Sequence, residues 1–229
     1  RKGYMKQDTW TKAQTHELQY HSNCKLRANP RVWEEGSRTL FRGLGVPDNI
    51  EGKNILDVGC GSRLRTAIFS EKNTVVGVDP LISKYKDLPF SNVLSFEHYS
   101  EPAETLIPEL ANRFDLVFCL NVLDHCLSPA LVIQRIYSYL REGGALYLWT
   151  DTGKHDEMHS TDFGVNELHA YLVSAGFIVL RFTQGVDPLN FASKTAPDGR
   201  RCGEPCLPGV TCLVAHARKP LQAATQARS

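Results

Sequence analysis

The chain has almost no net charge: 26 Lys and Arg stand against 25 Asp and Glu, a formal balance of +1 over 229 residues. A general electrostatic pull toward nucleic acid or an anionic membrane is therefore absent from the composition, although a local basic patch stays open. No segment offers the roughly 20 consecutive apolar residues that a membrane-spanning helix requires, and the opening RKGYMKQDTW lacks the apolar centre of a secretory signal. These absences lead to the expectation of a cytoplasmic protein with no membrane partner. The seven cysteines are odd in number and scattered, so no disulfide framework is expected. Cys24, Cys60, Cys119 and Cys126 fall in or beside apolar segments, where a reduced thiol behaves as a small hydrophobe. No internal repeat or low-complexity segment is present.

What is there is an ordinary globular balance, with 42% apolar and 22% charged residues, in a length suited to one α/β domain. Its expected organisation is an N-terminal helical lid region over 1–50, a core over 51–220 and a tail over 221–229. Asn29-Pro30 opens a helix and Gly45 closes it, with Asn as cap and Pro in the first position. From Lys53 onward, short apolar runs alternate with helix-like stretches: NILDVG, NTVVGVD, NVLSFEH, FDLVFCLN and GALYLWT. Such alternation indicates a parallel sheet with crossover helices on both faces. A helix is expected after Ser128-Pro129, with Ile133, Ile136, Tyr137 and Leu140 on one face and Gly143-Gly144 as its stop. Another spans 165–175 and leads into FIVLRFTQ, while residues 185–210 read as a long loop before a last strand, TCLVAHAR.

The chemistry concentrates in ILDVGCGS, a strand running into a tight glycine turn, after which RLRTAIFSE can form the next helix. At such a turn in a doubly wound sheet, a nucleotide-like ligand lies beyond the carboxyl ends of the strands. Gly59 and Gly61 permit positive φ and leave no side chain to block a ligand. Asp57 ends the first strand; 22 residues later Asp79 ends the second in VVGVDP, where a carboxylate can accept from two ribose hydroxyls. A dinucleotide fingerprint requires a third glycine three residues after Gly61, but that pattern, counted from Gly59, reaches Leu64.

With ILDVGCGS, VVGVDP, FDLVFCLNVLDH and LREGGALYLW in order, the chain resembles the class I S-adenosylmethionine (SAM)-dependent methyltransferases over roughly residues 53–184, in their type 11-like small-molecule branch. The resemblance implies a doubly wound α/β fold, Rossmann-like, with a seven-stranded and mostly parallel sheet, an antiparallel last strand and an N-terminal helical extension. It implies SAM as cofactor: Asp57, Gly59, Cys60 and Gly61 at its amino-acid end, Asp79 on the ribose, and Pro80 and Leu81 beside the adenine. Pro102 and Ala103 would meet the adenine edge, and Leu120 and Asn121 would line the methionine portion. One departure stands out, because Ser62-Arg63 replaces the third small residue common in the family's turn.

Other residues admit two roles each. His125 would face the site as a general base toward an acceptor hydroxyl, or would fix a loop or substrate. His155, Asp156, Glu157 and His159, with Asp124 and His125, form a possible hard-cation set or a solvated loop. Cys202, Cys206, Cys212 and His216 have zinc-type spacing, but a strand would hold Cys212 and His216 roughly 13 Å apart. No metal is therefore expected. Glu17, Tyr20, His21 and Trp33 either cover the site or anchor the N-terminal helices. The acceptor is expected to be a small molecule with an oxygen or nitrogen nucleophile, and nucleic acid is not indicated. A nucleic-acid or protein methyltransferase would need a basic stripe, for which Arg63, Arg65, Arg200, Arg201 and Arg218 are the candidates. A SAM-binding protein without transfer activity is the remaining alternative.

Overall fold

The computed structural model describes residues 7–23, 28–152, 161, 163–185 and 211–221. Seven strands form one sheet: β1 (Asn54–Val58), β2 (Thr74–Val78), β3 (Glu97–Tyr99), β4 (Phe114–Leu120), β5 (Leu140–Thr152), β6 (Ile178–Gln184) and β7 (Thr211–Arg218). Their order is β3-β2-β1-β4-β5-β7-β6. β1 through β5 pair in parallel, while β7 runs antiparallel to both its neighbours. This is the doubly wound α/β architecture anticipated above, with the antiparallel strand inserted second from the edge. Strand order reverses between β1 and β4, which makes their carboxyl ends the natural ligand crevice.

Apolar layers cover both faces, which is why β1, β2 and β4 read as nearly continuous hydrophobic runs rather than alternating ones. On one face lie α4 (Pro129–Tyr139) and α5 (Val165–Ser174), burying Val132, Ile133, Ile136, Leu168 and Leu172 against Val117, Leu146 and Leu213. On the other lie the N-terminal helices α1 (Gln7–Asn23) and α2 (Pro30–Leu44). Trp33, Ser37, Leu40, Phe41 and Leu44 are buried along one stripe of α2, the spacing a helix needs to present one face to a sheet. Its ends follow from local chemistry. Asn29 accepts from the Val32 amide at 3.3 Å, Pro30 opens the helix, and Gly45 closes it at φ +76°.

Three expectations shift. The segment after the glycine turn forms only a 3-10 turn, Thr66–Phe69, instead of a full helix. Side chains there capture the amides: Asn92 Oδ1 accepts from Leu64 N at 2.9 Å, and Asp57 accepts from Thr66. The third strand begins at Glu97 because Val93–Ser95 is itself a turn, closed by Ser95 N–H donating to Asn92 O at 3.0 Å. Finally, α4 ends at Tyr139, so Gly143-Gly144 falls inside β5. The buried Lys219 Nζ donates to Tyr137 O and Leu140 O, taking up carbonyls at the helix end. α3 (Ile82–Tyr85) is a single turn after β2.

Candidate active site

All the residues singled out for the cofactor sit at the carboxyl ends of β1, β2, β3 and β4, at the reversal of strand order. Gly59 and Gly61 both adopt positive φ, +67° and +63°. The Gly59 amide donates to Val78 O at 2.8 Å, folding the turn back onto β2. A Cβ at Gly59 would come within 2.3 Å of Val122, so this position is closed to other residues by φ and by packing together. Cys60 is buried, with its Sγ against Gly77 of β2.

Asp57 is buried and takes Thr66 Oγ1–H at 2.8 Å on Oδ2, with the Thr66 amide at 3.4 Å on the same oxygen. Its other oxygen takes no bond among the described residues, which leaves it for a ligand. Burial pushes its carboxyl up to about 6; the bonds from Thr66 pull the other way without winning. A ligand ammonium is what such a carboxylate lacks. Asp79, also buried, accepts from Gly61 N on Oδ2 at 3.0 Å and from Leu81 N on Oδ1 at 2.9 Å. Both oxygens of the Asp79 carboxylate thus take a backbone N–H at the carboxyl end of β2. The same bonds tie the glycine turn to Asp79, and Asp79 to Leu81.

Pro80 and Leu81 are half-buried beside Asp79, and Pro102 and Ala103 are half-buried in the loop after β3. That loop is held by Glu104, which accepts from Leu127 N at 2.7 Å and Ser128 N at 3.2 Å. Leu120 is half-buried at the end of β4. Next to it Asn121 has φ +60°, and its Oδ1 is buried with no hydrogen-bond partner among the described residues. A non-glycine residue held at positive φ with an unsatisfied buried acceptor is a common mark of a ligand-facing position.

Beyond the end of β4, His125 lies in the turn Leu123–His125. Its Nδ1 is 3.9 Å from Glu17 Oε2 and its Nε2 3.8 Å from Asp124 Oδ2, too long in both cases for a hydrogen bond. Asp124 is buried and accepts from Thr150 Oγ1 at 3.2 Å. Glu17 of α1 therefore approaches His125 across more than a hundred residues of sequence, and His21 reaches Ser62 across 41. Trp33 is buried, its Nε1–H 3.5 Å from Leu64 O, and the Arg65 guanidinium stacks 4.2 Å over its ring. Tyr20 is exposed.

Four roles were not legible in the sequence. Thr66, Glu104 and Val122 act through contacts that local spacing does not encode, and Asp124 was visible only as a member of a possible hard-cation set, not as the acceptor of the Thr150 hydroxyl. Residues 155–159, Cys24, Cys202, Cys206, Arg200 and Arg201 lie outside the described residues. Among the described ones no group of His, Cys, Asp and Glu is arranged to hold a metal. His216 instead stacks on Tyr147 at 4.4 Å. Cys212 is disulfide-bonded. Cys60, Cys119 and Cys126 are buried thiols.

A ubiquinone biosynthesis O-methyltransferase of Pseudomonas fluorescens is 32% identical over 108 residues, 44% of this chain and 46% of that protein. A tRNA U34 carboxymethyltransferase of Campylobacter concisus is 31% identical over 106 residues, 44% of this chain and 37% of that protein. The matches thus span about half, or less, of the length of these curated relatives. Among solved structures, a Burkholderia thailandensis 1,6-didemethyltoxoflavin-N1-methyltransferase superposes with a TM-score of 0.56 at 20% identity. That match covers 93% of this chain and 88% of the other, which has 1,6-didemethyltoxoflavin and S-adenosylhomocysteine bound. The "Methyltransferase domain" family matches residues 29–179, well over half of the chain, and the protein accordingly belongs to that family, with the class I SAM-dependent methyltransferase fold.

Proposed function

We propose that the protein transfers the methyl group of SAM to an oxygen or nitrogen nucleophile of a small molecule. The observation that carries this reading is the buried acid–glycine–acid arrangement at the sheet's reversal point: Asp57 with one open oxygen, the Gly59–Gly61 turn, and Asp79 bonded to that turn. The donor set suits SAM. Asp57 would meet its ammonium, Asp79 its ribose diol and Asn121 Oδ1 a donor near its methionine portion, with Gly59, Cys60 and Gly61 lining the turn. Pro80, Leu81, Pro102 and Ala103 supply the half-buried apolar walls an adenine needs, and Leu120 the wall beside the methionine portion.

When bound, SAM supplies a methyl group already activated by the sulfonium. What the chain must add is alignment of the acceptor and exclusion of water, which together account for much of the rate in such a transfer. His125, flanked by Glu17 and Asp124, is the group placed to take a proton from an acceptor or to orient it. A small acceptor is supported by the near-neutral charge and by the relatives named for ubiquinone biosynthesis and toxoflavin. Of the five arginines that would serve a nucleic-acid substrate, Arg218 bonds to Gly143 O at the amino end of β5, opposite the site.

Calorimetric titration with SAM and with NAD tests the reading. Wild type should bind SAM and not NAD, and Asp79→Ala should weaken SAM at least tenfold, the loss of about 1.4 kcal/mol or more. Tight NAD binding, or SAM binding indifferent to Asp79→Ala, would sink it. SAM binding without S-adenosylhomocysteine formation over a broad acceptor screen would favour a non-catalytic SAM-binding protein.

A further inference from the structure

The serine that departs from the family's small-residue turn is not left to itself. Ser62 is fully buried, and its amide donates to Nδ1 of His21, from α1, at 3.2 Å. Its Oγ lies 2.8 Å from the same nitrogen. Because Nδ1 accepts a backbone N–H, the neutral ring carries its hydrogen on Nε2, which lies 3.0 Å from Glu17 Oε1 one helical turn earlier. The ring is 2% exposed and stacks on the buried Tyr85 of α3 with centroids 4.8 Å apart. Imidazole and hydroxyl are thus sealed between the glycine turn, the helix after Asp79 and α1.

The glycine turn is consequently gripped from two sides. Asp79 holds the Gly61 amide from β2, and His21 holds the next amide, Ser62, from a helix about forty residues upstream. Glu17 steadies the His21 ring with one oxygen and turns the other toward His125. The contacts therefore run Ser62, His21, Glu17, His125, from the cofactor side to the acceptor side. We propose that His21 is a positioning residue of the cofactor turn, so that docking of α1 and binding of SAM are one coupled equilibrium. A ligand that needs the turn in its gripped form draws α1 down, and α1 in place presents Glu17 to the acceptor side.

This inference rests on the cofactor reading above, and the test separates the two. The full chain is titrated with SAM as wild type, His21→Leu, His21→Asn, Glu17→Ala and Asp79→Ala, with amide exchange of residues 10–23 followed at each stage. His21→Leu removes the acceptor and should weaken SAM by about tenfold or more. His21→Asn places a carbonyl oxygen near the position of Nδ1 and should restore affinity to within about threefold of wild type. SAM should slow exchange in α1 of the wild type and not in His21→Leu, a response that loss of packing alone would not abolish. Glu17 is partly exposed, so Glu17→Ala decides the matter if the leucine variant does not fold, and it too should weaken SAM and uncouple α1.

If Asp79→Ala loses SAM while His21→Leu or, failing that, Glu17→Ala binds it as wild type does, the coupling is wrong and the cofactor reading stands. Failure of the wild type to bind SAM would overturn both.

Discussion

At the scale of single residues, the site stores a cost that its ligand would relieve. Asp57 has its carboxyl raised from 3.8 to about 6 by burial. A carboxyl raised on folding contributes stability that is fully present below its unfolded value and is lost as pH rises through the folded value. The ligand-free protein should therefore lose on the order of 2–3 kcal/mol between about pH 4 and pH 7 on this account, at 1.36 kcal/mol per pKa unit. Asp57→Asn keeps an acceptor for Thr66 and removes the charge, so it should be the more stable form at pH 8 while binding SAM more weakly. Denaturant melts at pH 4 and pH 8 decide this: curves for the two proteins that stay parallel with pH would show that Asp57 is not held against its charge. SAM affinity of the wild type should also fall as pH drops through about 6, where Asp57 takes up its proton, and that dependence should vanish in Asp57→Asn. The placement of Asp57, Gly59, Gly61 and Asp79 was legible because it follows from strand ends, which periodicity reveals. Thr66, Glu104 and the His21–Ser62 contact were not, since each depends on which segments the fold brings together.

At the scale of elements, the strands and caps were easier to read than the crossovers between them. α2 starts and stops where Asn29, Pro30 and Gly45 say it should, because capping is local chemistry. The crossover after β1 was misjudged because side chains of Asp57 and Asn92 claim amides over a stretch of only nine residues between Leu64 and Thr74. Gly143-Gly144 looked like a helix stop and is part of β5 instead. There the pairing with β4 shifts register between Phe114 and Leu116. A Cβ at Gly144 would meet Arg141 O at 2.9 Å and Phe114 O at 3.0 Å, both backbone atoms. Gly144→Ala should accordingly cost about 1–3 kcal/mol, the usual penalty for overpacking. Gly36→Ala, where nothing lies within 4 Å of the new methyl, should instead gain up to about 1 kcal/mol in mid-helix. Equal unfolding midpoints for the two variants would mean that the strained register at the start of β5 is absent in solution.

At the scale of the whole molecule, the N-terminal helices are part of the same folded unit as the sheet. Leu40, Phe41 and Leu44 of α2 share a buried cluster with Ile55, Phe118, Trp149 and Val214 from β1, β4, β5 and β7. Trp33 and Trp149 lie on this face, so their fluorescence reports helix–sheet packing while far-ultraviolet dichroism reports all the elements together. Coincident thermal transitions from the two probes are expected, as for one cooperative unit. A ligand at a hundred times its Kd adds about 2.7 kcal/mol, and for a chain of this size each kcal/mol moves the midpoint by about 2–4 °C. Saturating SAM should thus raise both transitions together by roughly 5–10 °C, and NAD should raise neither. A tryptophan transition that precedes the dichroism, and that SAM leaves unmoved, would mean that α1 and α2 melt away from an intact sheet. The grip of His21 on the cofactor turn could not then carry binding energy from one to the other, because a helix that leaves first has no part in the equilibrium that follows.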